Sequence, residues 1–305
     1  MSDETNDVSG VSSVQRNITI PILVTFACPA LICFLFIFYH AIKLRKRLIF
    51  DTINNHIIFL ILIFDFLSIA TELPITLYYL AYGRVHTKKI CLFWMFWDFS
   101  LQVASLFLTT YASIERYFLV FHRQAVLKHK FIWHYIPMFW FTVYIPIFFL
   151  CLLLRVPCQT KSQEDSFDLT AFACGTPCYF TYVTINTYDV IVNLMLPSFT
   201  ILTFNLVIII RVIASRTTAL GSVALRKILK KNRRMILQLL GISLMSLIAW
   251  LPWVVITIAV DFFDPSFGLW FEIYILPYLP YLTTSMSPFF ALIGLSEIRK
   301  QIIPT

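Results

Sequence analysis

The chain has 305 residues, of which 59% are hydrophobic, 17% aromatic and only 13% charged, and its mean hydropathy is +0.80. Soluble domains carry about 25% charged residues, so the polar residues are too few to clothe a water-soluble globule, and 30 Phe with 14 Tyr exclude a disordered chain. A net charge of +8 would suit a nucleic-acid binder only if it were gathered on a soluble face, and no such face exists; an integral membrane protein remains.

A helix needs about 20 mostly apolar residues to cross a hydrocarbon core of roughly 30 Å. Seven stretches meet this requirement: residues 18–43, 54–82, 90–119, 131–154, 184–214, 233–260 and 270–295. Residues 1–17 are polar and precede the first span; 18–295 form the bundle; 296–305 make a short tail, read as a surface helix. The first span is too long and too interrupted by proline for a signal-peptide core, so it is retained. The fold class predicted is therefore an all-α integral membrane protein, a bundle of seven transmembrane helices.

Lysine and arginine orient it. With residue 1 outside, the inner connectors and tail carry 18 of the 24 basic residues, among them Lys43, Arg123, Lys128, Arg226, Lys227, Lys230, Lys231, Arg233, Arg234 and Lys300. The excess marks the cytosolic side, so the N-terminus is external, and the basic run faces anionic membrane lipid with no nucleic acid required. Four cysteines, Cys91, Cys158, Cys174 and Cys178, then lie at outer positions where disulfides form, whereas Cys28, Cys33 and Cys151 are inert apolar filler within spans. Asn17-Ile18-Thr19 is an outer glycosylation sequon.

Polar residues at membrane depth are costly and normally face the bundle interior. In the third span Asp98, Gln102, Ser105, Thr109 and Arg116, with Ala112 completing the series, recur at helical spacing and form one stripe. From the rise per residue, Asp98 sits about 10 Å below Cys91 and Arg116 about 27 Å further in. The second span repeats the pattern with Asp65, Ser68, Glu72 and Thr76, and the fifth adds Asp189. Three acids, Asp98, Glu72 and Asp189, thus gather in the outer halves of three spans, with no basic residue at that depth. Such a cavity favours a cationic guest. Prolines inside the spans, Pro74, Pro137, Pro197, Pro252 and Pro288 among them, imply bent helices with hinges, and Trp250 sits at one such bend.

These features resemble the rhodopsin-like class of G-protein-coupled receptors over nearly the whole chain. Glu115-Arg116-Tyr117 is similar to the acid-Arg-Tyr motif at the inner end of helix 3. Cys91 lies 25 residues earlier, the spacing of the cysteine that bonds to the second outer loop. Asp65, Trp140 and Pro197 resemble the hallmark residues of helices 2, 4 and 5. Ala249-Trp250-Leu251-Pro252 resembles the helix-6 switch, and Ser287-Pro288-Phe289-Phe290-Ala291 stands in the place of the helix-7 motif.

The resemblance implies a plasma-membrane receptor that activates a heterotrimeric G protein. In pocket residues it is nearest to aminergic receptors: Asp98 coincides with their ammonium-binding aspartate, Tyr281 with the tyrosine bonded to it, and Asp189 with a contact for the ligand's far end. Gln102, Glu72, Trp250 and Trp253 complete the expected ligand site, and Glu115, Arg116, Tyr117, Trp250, Pro252, Ser287 and Pro288 the activation machinery. A receptor for a small basic peptide is the alternative. Asp65, Ser105, Thr283 and Ser287 form a candidate sodium site with hydroxyls in place of amides. Asn232 stands where a helix-6 acid would pair with Arg116, so Arg116 is expected to pair only with Glu115 and basal activity to be raised. Of the three cysteine connectivities, proximity to helix 5 favours Cys91 with Cys178, leaving Cys158 with Cys174.

Three rivals are weaker. An opsin needs a lysine for retinal in the last span, where Tyr281 stands instead. A cation-coupled transporter would use the same acids, but the internal repeats typical of such proteins are missing from the sequence. A metal hydrolase lacks ligand spacing among the histidines, which the span assignment places at membrane edges or in loops. No enzyme is indicated.

Overall fold

The computed structural model describes residues 11–44, 53–155, 167–175, 177–217, 223–264 and 266–295. Six helices are long and apolar enough to cross a membrane: α1 (Ser13–Lys43), α2 (Asn55–Tyr82), α3 (Lys88–Phe121), α4 (Phe131–Arg155), α5 (Val183–Arg211, as a span) and α6 (Val223–Phe262, spanning within Ile236–Val260). The seventh span is broken. A short helix Leu269–Tyr274 and a tight turn Leu276–Tyr278 precede α7, Leu279–Gly294. Pro277 and Pro280 cannot donate backbone hydrogen bonds, which ends the first piece and restarts the second with Pro280 in its first turn. The bundle of apolar helices is the one expected from hydropathy. The basic side chains of residues 226–234 and the tail 296–305 lie outside what is described.

Helix α1 starts at Ser13, ahead of the expected 18, because Ser12 caps it by accepting from the Gln15 N–H, the first half of a Ser-x-x-Gln capping pattern. The Gln15 amide instead donates to the Tyr278 hydroxyl at 3.2 Å, and Arg16 Nε donates to the Leu80 carbonyl. This extra turn thereby braces the outer ends of α2 and the seventh span. Asn17 is exposed on it.

The prolines act in a specific way. Wide π-type turns occupy Ser68–Glu72, Phe131–Tyr135 and Asp189–Met195, and each ends two residues before a proline: Pro74, Pro137 or Pro197. A proline ring collides with the carbonyl four residues earlier and offers it no hydrogen bond, so widening the preceding turn relieves the conflict. These turns carry Ser68, Glu72, His134, Asp189 and Asn193, which they rotate relative to a regular helix.

Helix α3 is the central column, with most of its side chains from Ser100 to Arg116 buried. It packs against α2, α4, α5 and α6. Two glycines mark tight contacts between α6 and α7. A Cβ on Gly241 would stand 2.1 Å from the Phe290 ring, and one on Gly294 1.7 Å from Gln238 Oε1. The Gln238 amide also donates to the Ala291 carbonyl at 3.1 Å. Gly241→Ala is therefore expected to destabilise the bundle by about 1–3 kcal/mol through overpacking, read as a lower melting temperature of the detergent-solubilised protein. An unchanged melting curve would mean that Phe290 turns aside freely.

The second outer loop corrects one expectation. Cys91 bonds to Cys174, with Cα atoms 5.7 Å apart, not to Cys178. Proximity to helix 5 misled because it ignored the backbone: Ala173, Cys174 and Gly175 have φ of 47°, 62° and 85°, a left-handed hook that folds the chain back over α3. Cys178 is itself disulfide-bonded, and Cys158 lies outside the described residues. The loop is pinned by Val85 N–H to the Leu169 carbonyl and Tyr79 hydroxyl to the Thr170 carbonyl. Hydrogen bonds from Thr170 hold the Asp168 carboxyl below the usual carboxylate range.

Candidate functional site

The outer acids have separate environments. Glu72 is fully buried. Its Oε1 accepts from Trp94 Nε1 and Thr76 Oγ1, each at 2.9 Å, and from the Tyr281 hydroxyl; the Thr76 and Tyr281 hydroxyls are 2.9 Å apart. One carboxylate oxygen thus ties α2 to α3 and α7. Its Oε2 is buried without a hydrogen-bond partner among the described residues. Above it Phe172, at the tip of the outer-loop hook, meets the rings of Trp94, Tyr79 and Tyr278 at centroid distances of 5.3, 6.1 and 5.6 Å. These rings cover Glu72 on that side, and its hydrogen bonds commit it to the contact between three helices.

Asp98 lies one turn below Trp94 on the same face of α3 and is close enough to Glu72 and Tyr281 to interact electrostatically with both. It is half-buried and makes no hydrogen bond or ion pair with any described residue. Tyr281 was expected to bond to Asp98; it bonds to Glu72 instead, since the π-turn at Ser68–Glu72 swings that carboxylate towards α7. The next stripe residue, Gln102, donates from Nε2 to Ser68 Oγ at 2.9 Å. Asp189, on the π-turn of α5, is also half-buried and accepts from Asn193 Nδ2 at 2.7 Å, with the Tyr179 hydroxyl facing it. Trp253 is half-buried on α6.

Deeper in the bundle, a cavity of about 20 Å³ is lined by Asp65, Gln102, Ser105, Trp250, Thr283 and Ser287, among others. The structure thus gathers the four residues of the candidate sodium site, together with Trp250, around one small space. Ser105 Oγ donates to Asp65 Oδ1 at 2.6 Å, while Ser287 Oγ and the neighbouring Thr109 Oγ1 are buried without partners among the described residues. A space of this size holds one water or one small ion, and the carboxylate of Asp65 and the hydroxyls of Ser105, Thr283 and Ser287 are oxygen donors of the kind a hard cation takes.

At the inner end Glu115 and Arg116 are both buried, at 4% and 3% exposure, but they do not pair with each other. Adjacent helical residues point about 100° apart, so Glu115 turns to α4, where its Oε1 meets His134 Nδ1 at 2.5 Å. Arg116 faces inward, and its Nη1 has no partner among the described residues. His134, expected at a membrane edge, is wholly buried and also contacts His56 Nδ1 through Nε2 at 3.0 Å. A histidine inside the apolar run Phe131–Tyr135 at the depth of Glu115 was the signal that could have revealed it. Tyr117 is half-buried under the Arg211 guanidinium, 5.1 Å from its ring centroid. Pro252 lies inside α6, and Ser287 and Pro288 are buried on α7. No cluster of three or more metal-ligating side chains occurs among the described residues.

Taken together, a half-open acid at the outer end, a small polar cavity beneath it and a buried arginine at the inner end lie along one central helix. Residues 41–289 match the family described as 7 transmembrane receptor (rhodopsin family). No curated protein matches the chain.

Proposed function

Because the chain belongs to the rhodopsin family of seven-transmembrane receptors, a receptor family and not an enzyme family, we propose that it binds an extracellular amine at Asp98 and activates a heterotrimeric G protein. The N-terminus is outside in this reading, as the distribution of basic residues requires. The observation that carries it is the contrast between the acids: Glu72 is fully buried and saturated at Oε1, whereas Asp98 is only partly buried and makes no hydrogen bond or ion pair among the described residues. A carboxylate held at that depth without a cation is stabilised by one supplied from outside. The ligand acts by favouring the arrangement in which α6 swings about Pro252 and opens the inner end near Arg116, and it shifts that equilibrium only by its differential affinity. The test is nucleotide exchange on purified heterotrimers by the reconstituted receptor, challenged with biogenic amines, diamines and short basic peptides. Stimulation by amines supports the reading; stimulation by peptides alone replaces the ligand class; stimulation by none of them removes it.

We further propose that the Asp65 cavity holds a sodium ion, with Asp65, Ser105, Thr283 and Ser287 supplying oxygen. An ion braced between α2, α3 and α7 favours the closed arrangement and so opposes the agonist by linkage. Replacing sodium by an organic cation is expected to raise agonist affinity roughly fivefold in the wild type and not in Asp65→Asn. Equal affinities in both salts for the wild type would exclude the ion.

A further inference from the structure

The inner end holds a chain of three titratable groups, of which the receptor reading uses only Glu115. Glu115 Oε1 lies 2.5 Å from His134 Nδ1, and His134 Nε2 lies 3.0 Å from His56 Nδ1, linking α3, α4 and α2. The chain imposes a proton order. The short contact to a carboxylate needs the hydrogen on His134 Nδ1. One hydrogen then lies between the two imidazoles, given by His56 to a neutral His134 or by a cationic His134 to His56. Glu115 is faced by His134 from α4, and on its own helix by the Arg116 guanidinium and the Tyr111 hydroxyl, which donates to the Trp133 carbonyl. His134 is faced by Glu115, His56 and the ring of Tyr135.

Arg116 shows the consequence. It is the neighbour of Glu115 in sequence and is almost completely buried, yet its Nη1 has no partner among the described residues. Glu115 acts on it only as a nearby charge, without a hydrogen bond, and a buried guanidinium that lacks a hydrogen-bonded counter-charge raises the energy of the arrangement that buries it. An arrangement that opens the inner end to water, or to a partner protein, relieves that energy.

We propose, on the basis of the receptor reading, that His134 is a positioning residue for G-protein activation: by fastening Glu115 to α4 it withholds the carboxylate from Arg116 and so sets the ligand-free activity. When the imidazole is removed, Glu115 has no other strong donor in reach and turns to Arg116. The closed arrangement then gains a buried ion pair, and spontaneous opening becomes rarer.

The experiment measures ligand-free and amine-stimulated nucleotide exchange by the full-length receptor in lipid nanodiscs. His134→Phe is expected to lower the ligand-free rate roughly fivefold or more. His134→Asn, whose amide donates from nearly the position of Nδ1, is expected to stay near the wild-type rate. Adding Glu115→Gln to His134→Phe is expected to restore the rate, because no carboxylate is left to pair with Arg116. A merely structural role for His134 would not give that restoration. A His134→Phe rate equal to the wild type, or one lowered equally with and without Glu115→Gln, overturns the proposal while leaving the receptor reading intact. Wild-type exchange that is stimulated by amine but silent without it also overturns the proposal alone. No exchange from the wild type under any condition overturns the receptor reading, and this assignment with it.

Discussion

Asp98→Ala should lose at least about a hundredfold in amine potency, the scale expected when one partner of a desolvated charge pair is truncated, while the receptor still reaches the cell surface. Both halves of this result follow from the same geometry. Asp98 accepts no hydrogen bond from a described residue, so its removal leaves no internal donor stranded and the fold has little to lose. The ligand's ammonium, by contrast, would enter a pocket whose other acid, Glu72, is roofed by Phe172 and committed to three donors. Asp98→Asn separates charge from shape, since it keeps the volume and should lose nearly as much potency. Dose–response curves alongside surface labelling decide it, and unchanged potency in either variant would remove the ammonium site from residue 98.

Glu72 is expected to behave in the opposite way. Glu72→Leu strands Trp94 Nε1, the Tyr281 hydroxyl and Thr76 Oγ1 in a buried site, and each stranded donor costs about 1–3 kcal/mol. The Thr76 and Tyr281 hydroxyls can still satisfy each other at 2.9 Å, so the loss falls short of the sum, at roughly 3–5 kcal/mol. Surface expression and the melting temperature should drop together. Glu72→Gln keeps an acceptor at Oε1 and should retain most of the stability. A Leu variant that melts like the wild type would show that this carboxylate does not bind the three helices together. If both results hold, the two acids, which residue type and depth place together, divide into one that would meet the ligand and one that holds the frame.

Periodicity carried the reading a long way where the physics is local. Twenty apolar residues in a row need a membrane wherever they are placed, and the stripe from Asp98 to Arg116 follows from helical spacing alone. It failed where the azimuth of a side chain or the path of a loop decides. The π-turns before Pro74 and Pro137 were legible only as bends, yet they determine which neighbour Glu72 and His134 meet. Pro277 and Pro280 broke a span that hydropathy drew as continuous.

Residue order alone was enough to put this protein in a membrane, to show where its basic residues cluster, and to place an acid towards one end and an arginine towards the other end of one central helix, because hydrophobic length, charge bias and a 3.6-residue period are properties of single segments. That Tyr281 serves Glu72, that Glu115 hydrogen-bonds His134, and that Cys91 takes Cys174 emerged from the packing of distant segments. Those pairings depend on a few degrees of helix rotation and three left-handed loop residues, which no one segment specifies until its neighbours are packed against it.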